Sequence, residues 1–177
     1  MMEDGVKLIK AKKLNDSNFK NFGWAIRKPD RVADVENEQL AYWDKCAELS
    51  NFTGNGLLGF LEVKRIPIEL KIMDLLTESL RIYLSVDGRP SIQFAALNNS
   101  STNQPDPDTI KAFILEEGDG VVIDKGIWHW TPFALTEKAR FAMGLKNDIM
   151  SLSNGTYTVD DSKVKYFTLD EPIGVVF

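Results

Sequence analysis

Between residues 80 and 97 the chain reads as two short strands joined by a tight turn. Leu80, Ile82, Leu84 and Val86 alternate with Arg81, Tyr83 and Ser85, the period of two that gives a strand one apolar face. Asp87-Gly88-Arg89-Pro90 is a turn, because Gly and Pro supply the backbone angles that a reversal needs. Residues 91–97 form a second, more evenly apolar strand. Shorter extended pieces recur at 24–26, 57–63, 66–70, 133–135, 139–145, 156–159 and 164–169, with a weak edge strand at 6–9. Helix is scarce. Residues 15–22 suit a short helix, with Asn15 or Asp16 accepting its free N–H groups and Gly23 closing it. Phe19 and Phe22 then share a face toward the core. Residues 34–49 fit a helix or a strand equally, since short apolar runs are not decided by period. Roughly ten or more short strands with one or two short helices predict an all-β sandwich or barrel. The alternation sends Leu80, Ile82 and Leu84 inward and Arg81 outward. Arg81 becomes a substrate clamp only if the register differs by one residue.

The chain of 177 residues is the length of one domain, spanning 1–177. Lys plus Arg is 21 against 26 Asp plus Glu, a net charge of −5, which lacks the basic footprint of a nucleic-acid binder. Lys7, Lys10, Lys12 and Lys13 read as a solvated edge. A single cysteine, Cys46, and a single histidine, His129, exclude an intrachain disulfide and a Cys/His zinc cluster. Cys46 reads as a small buried apolar residue. No signal-like or membrane-length apolar run is present, so a cytoplasmic protein with no membrane partner is expected.

One segment is more specific. Residues 118–129 read Gly-Asp-Gly-Val-Val-Ile-Asp-Lys-Gly-Ile-Trp-His, which resembles the second conserved motif of the cupins, small jelly-roll β-barrels. In that motif a Gly-Asp pair opens a strand, a residue that is usually proline leads a Gly turn, and a His follows three residues after the Gly. Asp124 stands at the proline position, Gly126 at the turn and His129 at the His. Within the cupins the chain resembles the ureidoglycolate lyase family. The likeness rests on Phe19-Lys20-Asn21-Phe22-Gly23, on Pro105 to Phe113, and on Gly126-Ile127-Trp128-His129 with Phe133 behind it. It spans roughly residues 7–147, and the tail after Asn147 is unmatched.

The resemblance implies a cupin-like jelly-roll β-barrel and a homodimer formed through edge strands and the N-terminal region. The activity it implies is release of urea and glyoxylate from ureidoglycolate, a small-molecule substrate, without a required cofactor. That cleavage needs a general acid, a general base and a cation for the carboxylate. His129 is the natural acid or base, with Lys125 and Asp124 as candidate catalytic neighbours. Lys146, Trp128 and Ser79 are candidate substrate contacts. Each has a plainer reading: His129 as a buried barrel histidine, the lysines as solvated, Asp124 as a turn former. Trp128, Trp130, Phe133 and Tyr83 read as core or rim aromatics rather than as a stacking platform. The first cupin motif normally holds a metal with His and carboxylate or Gln side chains. The aligned residues here are Met73-Asp74-Leu75 and Leu80, and Trp130 replaces the partner beside the His. Met73, Leu75 and Leu80 would then make the pocket apolar. The rival reading is accordingly a non-catalytic or divergent cupin that binds a small polar metabolite or sugar-like ligand. A barrel filled by its own side chains, serving as an assembly partner, is a third.

Two outcomes are expected from the sequence. The His129 ring, three residues after the Gly126 turn, faces a cavity inside the barrel. Purified protein carries no tightly bound transition metal, and elemental analysis finding near one metal per chain would put the Met73-Asp74-Leu75 alignment out of register.

Overall fold

Every residue of the strand Ser91–Ala96 is buried, so it has no solvated side. A strand of that kind needs a packed layer on each face. The computed structural model, which describes residues 2–3, 5–49, 54–147, 149–153 and 156–177, makes this strand a wall between two cores. Ile92, Phe94 and Ala96 enter one core and Ala95 enters the other. Lys111–Leu115 pairs with it and divides in the same way, with Ala112 on one side and Phe113 and Leu115 on the other.

The first core lies inside a closed ring of six strands. In order they are Val6–Lys13, Lys111–Leu115, Ser91–Ala96, Trp128–His129, Leu70–Leu76 and Val164–Val176, and the last pairs back onto Val6–Lys13. Closure uses parallel pairing, Ile173 to Val176 lying beside Lys7 to Lys10. All six strands contribute apolar side chains, with the alanines 11, 96 and 112 leaving room for Phe94, Trp128 and Met73. Closing the ring removes its open edges.

The second core lies between the shared wall and a five-stranded sheet ordered Gly23–Ile26, Gly120–Ile123, Arg81–Ser85, Lys138–Lys146 and Gly56–Lys64. Phe19, Phe22 and Phe113 form its aromatic centre, Phe113 lying 4.9 Å from Phe19 and 5.6 Å from Phe22 in edge-on contact. The expected helix is one turn, Asp16–Phe19. Asn15 accepts from the Asn18 N–H, and the Asn18 side chain returns the bond to the Asn15 N–H, a reciprocal cap that starts the turn. Gly23 closes against the next strand: its φ is +136°, and a Cβ there would lie 2.0 Å from the Val122 carbonyl oxygen.

The all-β barrel expected from the sequence is the fold found. One open local reading is settled and one is corrected. Residues 34–49 carry only the paired two-residue strands Val35–Glu36 and Ala41–Tyr42. The strand Arg81–Ser85 is turned the other way. Arg81 and Tyr83 are buried inside, while Ile82 packs over Gly144 and Leu84 over Gly120 on the opposite face. Neither glycine has a side chain, so these apolar residues find shelter outside the barrel. Among the described residues no helix is long and apolar enough to cross a membrane.

Replacing Phe113 with Ala removes the ring that joins both halves of the aromatic centre. The expected cost is about 3–5 kcal/mol of unfolding free energy, read from urea denaturation followed by tryptophan fluorescence.

Candidate functional site

Directly opposed residues on antiparallel strands share a face. Trp128–His129 inserts between Leu70–Leu76 and Ser91–Ala96, with His129 opposite Asp74 and Ala95, and Trp128 opposite Leu75 and Ala96. His129 and Asp74 therefore face the second core together, while Trp128 and Leu75 face the ring. The approach is set by Gly126, which has a φ of +79° and donates its N–H to the Leu76 carbonyl. Arg81 and Tyr83 reach toward the same place from the facing sheet, two residues apart on one strand.

The result is a buried polar line. Arg81 Nη2 lies 3.7 Å from Asp74 Oδ2, and His129 Nε2 lies 3.6 Å from Asp74 Oδ1. Arg81 Nη1 also contacts the Met143 sulfur at 3.5 Å. Arg81 is 7% exposed and His129 1%, yet Arg81 Nε and His129 Nε2 have no hydrogen-bond partner. His129 Nδ1 is 2.9 Å from the Ile127 carbonyl oxygen. A carbonyl only accepts, so Nδ1 carries the proton.

Asp74, Arg81, Tyr83, Trp130, Thr131 and Tyr166 line a cavity of about 280 Å³, completed by apolar side chains that include Leu61, Met143 and Ile149. The volume suits a small metabolite. Burial pushes the Tyr83 hydroxyl up to about 12, with the Thr131 side chain acting weakly in the opposite sense. Tyr83 is thus a neutral donor near neutral pH. Burial also raises Tyr166 at the mouth. Burial pulls the His129 imidazole below its ordinary value; the Asp74 charge opposes this and the Arg81 charge adds to it. Larger hollows exist, one of about 590 Å³ beside Lys20 and Arg27 and an open groove of about 920 Å³ beside Ile66 and Phe177. Among the described residues, the buried, charge-coupled Asp74 and Arg81 line the smaller cavity, which marks it as the candidate site.

The sequence-derived candidates scatter. His129 is inside, but it lies behind Asp74 rather than on the cavity wall. Trp128 faces the ring, its indole N–H donating to Asn98 and its ring edge-on to Phe167. Asp124 lines the separate 590 Å³ hollow, and Lys125 is exposed. Ser79 is buried, accepting from the Lys146 N–H and donating to the Leu80 carbonyl, and the Lys146 ammonium lies 3.7 Å from Glu78. Met73 and Leu75 point into the ring, which corrects the expectation that they make the pocket apolar. Asp74 between them is the residue that faces the site. Arg81 takes the inward register under which the sequence allows it as a clamp, and Tyr83 joins it at i, i+2; Asp74 and Thr131 carry no signal of their own, because their convergence needs strand register.

A metal of the kind cupins hold does not fit here. Asp74 and His129 are the only two donors of ligand type in the line, and a guanidinium occupies the space beside them. Among the described residues no three His, Cys, Asp or Glu side chains gather to hold an ion.

A family model described as ureidoglycolate lyase matches residues 6–161, a span that contains Asp74, Arg81, Tyr83, His129 and Thr131. No curated protein matches the chain. Among solved structures, RmlC from Streptococcus suis in complex with dTDP-D-xylose is similar at 9% identity and a TM-score of 0.38. That similarity covers 52% of this chain and 44% of the other, so the match spans under half of that protein.

His129 has its folded value depressed, so its contribution to stability is complete above the unfolded value near 6.5 and fades as pH falls through the folded one. The imidazole of this single histidine should stay neutral at pH 6.5, where an exposed histidine is half protonated. An NMR titration of the free protein reads this directly; a midpoint at or above 6.5 would contradict the burial argument.

Proposed function

Because the chain belongs to the ureidoglycolate lyase family, we propose that it cleaves ureidoglycolate, or a close ureido-acid, to glyoxylate and urea in the cavity lined by Asp74, Arg81 and Tyr83. The observation that carries this reading is Arg81. It is a buried cation on the cavity wall with one N–H left unpartnered, and such a donor is matched by a carboxylate.

With the substrate carboxylate on Arg81, the carbinol carbon lies within reach of Asp74. As the C–N bond breaks, the hydroxyl oxygen becomes the glyoxylate carbonyl. One proton leaves that oxygen and one arrives on the urea nitrogen, with no net change. Asp74 is the group that moves protons between them. Tyr83, kept neutral by burial, donates a hydrogen bond to the ureido group. His129, behind Asp74, is a positioning residue. Lys125 and Lys146 are not among the cavity-lining residues, so the clamp role passes from them to Arg81.

The apolar part of the lining, including Leu61, Met143 and Ile149, favours a second reading in which the cavity binds a small carboxylate without turning it over.

Release of urea and glyoxylate from ureidoglycolate is the test. Asp74→Asn should lower kcat by about 10²–10⁴-fold. Arg81→Lys should chiefly raise KM, since it keeps the charge and loses the planar fork. Lys125→Ala should match the wild type. No release by the wild type, with a carboxylate still bound, would favour the binding reading; full activity in Arg81→Lys and Asp74→Asn would remove the site.

A further inference from the structure

The gap between His129 and Asp74 is short of a proton. Nδ1 spends its hydrogen on the Ile127 carbonyl, so in the neutral ring Nε2 is an acceptor. It faces Asp74 Oδ1, a second acceptor, at 3.6 Å. Nε2 is out of water and has no other partner, while the Asp74 side chain, 13% exposed, borders the cavity. A buried face-off of two acceptors is unfavourable unless something else holds the charge. Here Arg81 does, 3.7 Å from the other Asp74 oxygen. With Arg81 positive, Asp74 negative and His129 neutral, the line has no net charge.

We propose that a small carboxylate binding at Arg81 brings one proton into the protein, taken up between Asp74 and His129. The proposal deepens the Arg81 clamp reading and rests on it. A ligand carboxylate makes two anions share one guanidinium, and a like charge nearby raises the proton affinity of a carboxylate. The vacancy that meets this demand is the gap just described. A proton there turns two opposed acceptors into a donor and an acceptor and restores electrical neutrality. The other titratable groups facing the line are Tyr83 and Tyr166. Both have raised values, so they already carry their protons and take up none. At the mouth, the Asp161 charge also acts on Tyr166. In turnover, the stored proton goes to the departing urea nitrogen and the hydroxyl proton of ureidoglycolate replaces it. The pair ends the cycle as it began it.

Because His129 is the only histidine, its ring nitrogens give one unambiguous set of NMR signals. The probe is oxalurate, the 2-oxo analogue of ureidoglycolate, which has no hydroxyl proton to lose. Calorimetry in buffers of low and high ionisation enthalpy should find about one proton taken up per oxalurate bound near pH 8. Affinity should fall about tenfold per pH unit above the pair's free value. In ¹⁵N spectra, Nε2 should lose its free lone-pair signature on saturation. His129→Gln should still bind oxalurate, with little pH dependence; if that variant does not fold, the wild-type calorimetry decides alone. Binding with no proton uptake and an unchanged Nε2 signal would overturn the coupling and leave the clamp intact. No binding by the wild type would overturn both.

Discussion

Arg81 and Asp74 meet across the two layers of the second core, one from each sheet, and the site depends on that meeting. A buried guanidinium without a counter-charge is costly, and breaking such a pair typically costs about 3–5 kcal/mol. Yet an apolar pair of the same size would often stabilise as well or better. Stability alone is therefore a poor reason to keep this pair. A charge held ready beside a cavity, with one donor unused, is a better one. The same pair turns the Arg81–Ser85 strand so that its polar residues face inward.

The pair is held on strands that have little freedom to move. Ser91–Ala96 and Lys111–Leu115 are packed on both faces, into the ring on one side and against the five-stranded sheet on the other. Trp128–His129 is locked between two neighbours, and Gly126 bonds to Leu76 before it. Shifting this insert by one residue would exchange Trp128 and His129 between the two cores. The bulky indole in the ring and the imidazole behind Asp74 thus exclude the wrong register. Positioning by rigid strands rather than loops suits a site whose groups must be held ready for a substrate.

Electrostatically, the site is neutral only as a unit. Burial disfavours a charged His129, the Asp74 charge favours it, and Arg81 opposes it again. Burial is the largest of these effects, so the ring is held below its ordinary value while the cavity is empty of further charge. The same low-polarity surroundings that keep Tyr83 a neutral donor make each hydrogen bond to a ligand more effective than it is in water.

The sequence by itself determined the class of fold. Alternating apolar residues, turn-forming glycines and prolines, and scarce helix leave few options besides closed or packed β-sheets. The Gly126-to-His129 spacing located the histidine, since a positive-φ glycine must sit where the chain turns into the short strand. The Leu80–Val86 alternation was equally clear as a strand, but it named the wrong inner face. Alternation tells which residues share a side; it does not tell which side is inside. That was decided by Asp74, brought opposite His129 by pairing between strands far apart in the chain, and by Gly120 and Gly144, which shelter Leu84 and Ile82 on the outer surface. Asp74 could not be read as a site residue between Met73 and Leu75, because only register places its apolar neighbours in the other core. Local pattern is a property of consecutive residues, whereas the site is a property of facing strands, and only tertiary structure brings those together.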